Sequence, residues 1–437
     1  MTCSPFCHFS YTKFNIRSNI VLYRVYNEFL PSNMLAKRVH FNLCLFVAAG
    51  LSLPSGAVKL KWPKIYYFYM ILSDIFTVAN LVTIGVNLLA PNVSITKRCY
   101  SGFTALATAQ SVIKLVACYI SRNKFAHYFK LWDNLVEKSA DRELQKSLTE
   151  NSKWIKRLST FMFLFMVGPM IPWGSLPLFI KVLSYIIPAL EDGYHFIAVP
   201  AQFPFDPLVS PAYEFVTVFQ GVAAAAVNSK LIAYDCMIYG LISCLVVKLK
   251  FLKTSFKSIV DPYQGRSKSV LLKKGVRNHQ KHQLSRWVQE HCDLMDLCRY
   301  LNRLYSPVLL LQLFLDVLIL CSNAFVVASA TVTKMEIMFS FGYVLGTVIQ
   351  LYTLCWLGEE ITNQSLTLTD EGFWQEWYSN PRYITSSLKI IFEKAKVPLK
   401  ISAFGTFNLS IETFKSIVGT AYSYFMVLNQ IKKKSLE

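Results

Sequence analysis

A chain of 437 residues that is 53% hydrophobic and 14% aromatic, with a mean hydropathy of +0.36, is too apolar for a soluble protein of this length. Its net charge of +19 would suit a nucleic-acid partner, but the basic residues stand between long apolar runs, where membrane topology and anionic lipid account for them without nucleic acid. Several apolar runs of about 18 residues or more make the fold class all-α, a polytopic membrane protein.

Residues 1–63 form an N-terminal region without a long apolar run. Within it, 41–54 (FNLCLFVAAGLSLP) is apolar for about 14 residues, too short to span comfortably. Lys37 and Arg38 ahead of it mimic a signal peptide, but the run begins some 40 residues in, so a short interfacial helix is expected. The first span is predicted over 64–90. A turn holding Pro91 and the sequon Asn92-Val93-Ser94, a candidate glycosylation acceptor, leads to a second span over 99–120.

A charged amphipathic stretch follows, 121–153. The third span, 154–180, is broken by Gly168, Pro169 and Pro172. A long loop runs to Pro211, and the fourth span, 212–247, is longer than a bilayer requires. The connection 248–303 is helix-prone and carries about thirteen Lys and Arg. A fifth span is predicted over 304–331 and a sixth over 335–357, which closes the transmembrane portion 64–357. Segment 358–408 looks soluble, and 409–437 holds the last helix and a short C-terminus. The apolar run 409–431, about 23 residues, is long enough to cross, which makes seven spans.

Charge orients the bundle. With the N-terminus inside, the inner segments 121–157, 248–303 and 358–400 hold most of the Lys and Arg, while the outer loops hold Lys97, Arg98, Lys181 and Lys334. The expected arrangement is therefore a cytoplasmic N-terminus and an extracellular C-terminus, with Lys432, Lys433 and Lys434 as the opposing sign. This is opposite to a G-protein-coupled receptor. Asn380-Pro381-Arg382-Tyr383 imitates that class's NPxxY signature, but it is one residue short and lies in a polar loop, where Asn-Pro reads as a turn. No matched pair of broken helices of the kind found in transporters is visible.

Eleven cysteines are scattered without a repeat, which suits small core residues. His291, Cys292 and Cys298 lack a second pair at zinc spacing, so no metal is expected, and no cofactor. Nor is enzyme chemistry expected, because there is no phosphate-binding glycine loop, GxSxG, HExxH or paired-carboxylate cluster. Asp74, Asp235 and Asp316 lie within spans, where ionisable groups are functional candidates, but spacing assigns them no role. In the last span, Val427, Gln430 and Ile431 follow i, i+3, i+4 spacing and share one helix face.

Three stretches carry a family resemblance. FPFDPLVSPAYEFVTVFQ (203–220) enters the fourth span, HCDLMDLCRYLNRLYSPVLLLQLF (291–314) enters the fifth, and Trp374, Trp377, Tyr378, Lys389, Pro398 and Leu399 precede GTFNLSIETFKSIVGTAYSYFMVL. In this combination, over roughly 37–431, the chain resembles the insect odorant receptor family. Tyr424 and Gln430 keep a spacing shared with gustatory receptors and the odorant co-receptor; the Pro-Phe-Asp loop opposes the first, and the absence of a long insertion in 248–303 opposes the second.

The resemblance implies an odorant-gated, non-selective cation channel of the plasma membrane of olfactory neurons. It implies a tuning subunit that forms a heterotetramer with a co-receptor, with 358–408 as cytoplasmic anchor, and a gustatory-like channel is the alternative. The implied ligand is a small volatile odorant, bound between spans two, three, four and six. Candidates there are Tyr100, Phe103 and Thr104; Met166, Met170 and Trp173; Phe215 and Phe219; and Met338, Phe341 and Tyr343. Each alone reads more readily as a packing residue than as a ligand contact; together they are aromatic and thioether groups suited to an apolar ligand. Val427, Gln430 and Ile431 fall where the family narrows its pore.

Overall fold

The computed structural model describes residues 30–31, 34–52, 58–59, 62–91, 93, 95–139, 141–184, 197, 199–260, 274–328, 334–374, 377–379 and 382–434. The candidate glycosylation acceptor Asn92 lies outside the described residues. Two short helices, α1 (Met34–Arg38) and α2 (His40–Ala48), precede the long ones. These are α3 (Pro63–Leu89), α4 (Ile95–Ser139), α5 (Arg142–Val167), α6 (Met170–Ser184), α7 (Ala212–Val260), α8 (Lys274–Val327) and α9 (Lys334–Leu366). Then come α10 (Asp370–Phe373), α11 (Arg382–Ala395) and α12 (Ile411–Lys434). The described residues also hold a 3-10 turn, Trp377–Ser379, and two antiparallel strand pairs, β1 (Leu30–Pro31) with β2 (Val58–Lys59) and β3 (Ser402–Ala403) with β4 (Phe407–Asn408).

Six crossings among the described residues are long and apolar enough to span a membrane: α3, α4, α5 continued by α6, α7, α8 and α9. α12 is not among them, because its apolar residues are diluted by Ser416, Thr420, Ser423, Asn429 and Gln430 and flanked by Glu412, Lys415 and the terminal lysines. The predicted second span does not stop near 120. α4 continues as one helix of 45 residues, about 68 Å, so the first half of the amphipathic stretch is its extension. α7 with 49 residues and α8 with 54 likewise run to about 74 and 81 Å, more than twice a hydrocarbon core of about 30 Å.

Local sequence explains the boundaries. Pro63 opens α3 at a first-turn position, where its missing N–H costs nothing. Asp141 caps α5 by accepting from the Glu143 N–H at 2.8 Å. Gly168 and Pro169 break the third crossing into α5 and α6, and the Trp173 N–H resumes helical bonding on the Pro169 carbonyl at 3.1 Å.

α7 is the core of the bundle: every residue from Lys230 to Val246 is buried. α3 is the opposite case. Phe68, Ile71, Ile75, Val78, Val82, Val86 and Leu89 form an exposed stripe at helical spacing, as expected of an outer helix facing lipid. The short helix α2 is buried on nearly all sides, and it packs inside the bundle. Its Asn42 donates to the Cys236 carbonyl at 2.5 Å and accepts from Ser159 at 3.1 Å.

The buried charges of α7 tie its neighbours to it. Lys230 lies 3.0 Å from Asp74 and donates to Thr77 at 2.7 Å, both on α3. Asp235 lies 2.6 Å from Lys114 of α4 and also accepts from Gln312 of α8, at 3.3 Å, and from Gln350 of α9. Gln110 donates to Asp316 of α8 at 3.0 Å. All three carboxylates marked in the sequence thus have partners. In hydrocarbon such groups are tolerated only when so paired.

Candidate functional site

The break at Gly168–Pro169 lets α6 diverge from α5, and the wedge between them and α9 holds an apolar chamber of about 420 Å³. Met166, Met170 and Trp173 line one side, and Met338, Phe339 and Tyr343 the other. Trp173 and Phe339 stack face to face, with ring centroids 4.5 Å apart and planes 13° from parallel. α6 can lie this close to α7 because Gly174 meets Gly221; a Cβ on Gly174 would stand 2.5 Å from the Gly221 Cα.

Deeper in the bundle a second chamber of about 40 Å³ shares Met170, Trp173, Phe339 and Tyr343 with the first. Phe103 and Thr104 of α4 line it, with Asn80 of α3 and Gln220 and Asn228 of α7. Phe103 packs on Tyr343 at 5.5 Å and edge-on to Tyr100 at 5.2 Å. Gln220 closes the chamber toward the loop before α7, donating to the Val199 carbonyl at 2.7 Å and accepting its N–H at 3.3 Å.

Seven of the eleven residues proposed from sequence therefore line the chambers: Phe103, Thr104, Met166, Met170, Trp173, Met338 and Tyr343. Tyr100 abuts them as a packing partner of Phe103. Phe215 and Phe341 are 67% and 60% exposed on the outside of the bundle, and Phe219 packs on Phe76 at 5.7 Å and Phe203 at 6.3 Å instead. Phe339, Asn80 and Asn228 escaped the sequence reading. Phe339 had a signal, since it stands four residues before Tyr343 on the same helix face. The two asparagines had none, because their role depends on helix rotation.

In α12, Ile417 and Ala421 are buried against the subunit, while Val427 and Gln430 are exposed and Asn429 is half-buried. The side chain of Ile431 lies outside the described residues.

Comparison with known proteins adds four findings. A family model described as 7tm Odorant receptor matches residues 95–422. Odorant receptor 46a, isoform A, of Drosophila melanogaster is 25% identical over 226 residues, 51% of this chain and 56% of its own length. The Odorant receptor coreceptor of Ooceraea biroi is 24% identical over 146 residues, 33% of this chain and 30% of its own. The aligned stretches thus span about a third to about half of these relatives. The solved structure of the insect olfactory receptor OR5 from Machilis hrabei, in complex with eugenol, superposes with a TM-score of 0.76 at 20% identity, covering 91% of this chain and 98% of that one. That likeness establishes the fold.

Proposed function

The chain belongs to the insect odorant receptor family, a family of membrane receptors and not of enzymes, and from this premise we propose that it is the odorant-tuned subunit of a ligand-gated, non-selective cation channel. The observation that carries the reading is the apolar chamber beside the stacked Trp173 and Phe339, which suits a small volatile molecule held by burial and shape. The eugenol complex of the Machilis receptor supports ligand binding within this fold.

The subunit works with a co-receptor in a heterotetramer of the olfactory neuron's plasma membrane, with the N-terminus cytoplasmic and the C-terminus outside. The longer match to Odorant receptor 46a supports a tuning subunit over a co-receptor. The face of α12 bearing Val427 and Gln430, open in the single chain, supports its placement along a shared pore. Co-expression with a co-receptor in cells lacking G-protein signalling, with currents recorded across an odorant panel, tests the reading. Odorant-evoked current is expected; none at normal surface labelling would overturn it.

A further inference from the structure

One residue lining the inner chamber carries an acceptor with no donor among the described residues. Asn228 is 6% exposed on α7, and its Nδ2 donates to the Ala224 carbonyl at 2.9 Å. That bond fixes the amide's orientation, because the flipped form would set two oxygens against each other. Its Oδ1 is then fully buried, on a residue that lines the chamber, and accepts no hydrogen bond from any described residue. The neighbouring polar groups are differently placed. Gln220 is engaged at both ends by Val199, Thr104 and Thr108 donate to carbonyls of their own helix, and Asn80 donates to Thr108 at 3.4 Å. A buried carbonyl oxygen left without a donor is costly, and a ligand that supplies one gains what the fold leaves unmet.

We propose, resting on the odorant-channel reading above, that Asn228 makes this subunit selective for neutral odorants bearing a hydroxyl, alcohols and phenols, whose O–H donates to Asn228 Oδ1 in the inner chamber while the apolar body lies against Trp173, Phe339 and Tyr343. Aldehydes, ketones, esters and ethers carry acceptors only; they would set oxygen against oxygen there. A cationic amine has the donor but would bring an uncompensated charge into an apolar chamber. The inner chamber, at about 40 Å³, admits a polar end group, and the outer one, at about 420 Å³, the rest of a small molecule.

The test uses matched probes on the full chain co-expressed with a co-receptor: 1-hexanol, benzyl alcohol and 2-phenylethanol, each beside its methyl ether, with hexanal added. The parental channel is expected to open at lower concentrations of at least one alcohol than of its ether. Asn228→Leu, similar in size without the acceptor, is expected to raise that alcohol's half-maximal concentration about tenfold while the ether's stays level or falls, because the opposing oxygen is gone. The retained ether response shows that the variant folds, and if Asn228→Leu fails to reach the surface, Asn228→Ala is read the same way. Equal shifts for alcohol and ether, the result if the oxygen is met by water alone, would overturn the proposal, as would a parental preference for ethers or hexanal. In both cases the channel reading survives, because current is still evoked. Silence of the parental channel to every probe and to a wider odorant panel counts against the channel reading, and this inference falls with it.

Discussion

Lys114 Nζ lies 2.6 Å from Asp235 Oδ1, and neither side chain has any exposed surface. The pair joins α4 to α7 inside the bundle, and Gln312 and Gln350 occupy the carboxylate's other oxygen. Removing one member leaves an uncompensated buried charge, which costs about 3–5 kcal/mol, whereas replacing both can be nearly neutral. Lys114→Met and Asp235→Leu are each expected to lose most surface expression, and the double variant to regain much of it. Thermal melting in detergent gives the same comparison. Single variants that melt like the parent would refute the pairing.

The chamber divides the aromatic candidates into two groups. Trp173→Ala, Phe339→Ala and Tyr343→Ala remove walls of the cavity, each forfeiting about 1.5–3 kcal/mol of apolar burial, roughly tenfold to a hundredfold in odorant potency. Phe215→Ala and Phe341→Ala change exposed rings and are expected to leave dose–response curves in place. The opposite division would move the ligand to the outer surface of α7 and α9.

That division marks how far the sequence is legible. The apolar runs and the Gly168–Pro169 break made six of the seven expected spans and the interruption of the third legible, because span length and helix breaking are local properties. Position along α9 was legible too: Phe341 stands between the lining residues Phe339 and Gly342. Rotation was not. Which face of α7 or α9 turns inward is decided by neighbours such as Gly174 against Gly221, and no single helix shows that. The same blindness hid the partners of the intramembrane acids. Asp74, Asp235 and Asp316 stood out in apolar runs, but Lys230, Lys114 and Gln110 are 156, 121 and 206 residues away in sequence, respectively.

The approach to α12 depends on one missing side chain. A Cβ on Gly358 would stand 2.3 Å from the Leu409 Cβ and 2.6 Å from its carbonyl oxygen, so α9 and the lead-in to α12 touch there. One residue on, Glu359 accepts the Ile411 N–H at 3.2 Å, placing a carboxylate at the positive end of α12. Gly358→Ala is expected to destabilise by about 1–3 kcal/mol and Glu359→Ala by about 1 kcal/mol, read as melting temperature. If Gly358→Ala melts no lower than Glu359→Ala, the close approach is wrong.

His291 introduces a pH dependence in the charged part of α8 that precedes the predicted fifth span. Its ring stacks on Trp287 at 5.3 Å, and burial holds its pKa below the ordinary 6.5. The folded protein therefore binds the proton less readily than the unfolded chain. Stability is full above about pH 6.5 and falls as pH drops below it. His291→Phe keeps the stack and is expected to flatten the melting temperature between about pH 7.5 and 5.5 relative to the parent. Parallel pH profiles would remove His291 from this role.

One face of α12 stands open. Ile417 and Ala421 are buried, and Gln430, nine positions beyond Ala421, projects about 180° away at 100° per residue. Val427, 51% exposed, lies about 60° from Gln430, whereas Asn429, about 100° from Gln430 on its other side, is half-buried. If α12 helices line a common pore, a ring of Val427 blocks ions by dewetting, because an apolar constriction offers nothing to replace the hydration shell. Rotation or spreading of the helices brings Gln430 to the axis and wets the passage. Val427→Ala and Gln430→Ala are thus expected to change basal current or ion permeability, and Asn429→Ala much less. Partner subunits in a mixed tetramer supply the other positions of the ring and reduce each effect. Single-channel recording decides: unchanged conductance, selectivity and basal opening in both variants, at normal surface levels, would take this face out of the pore.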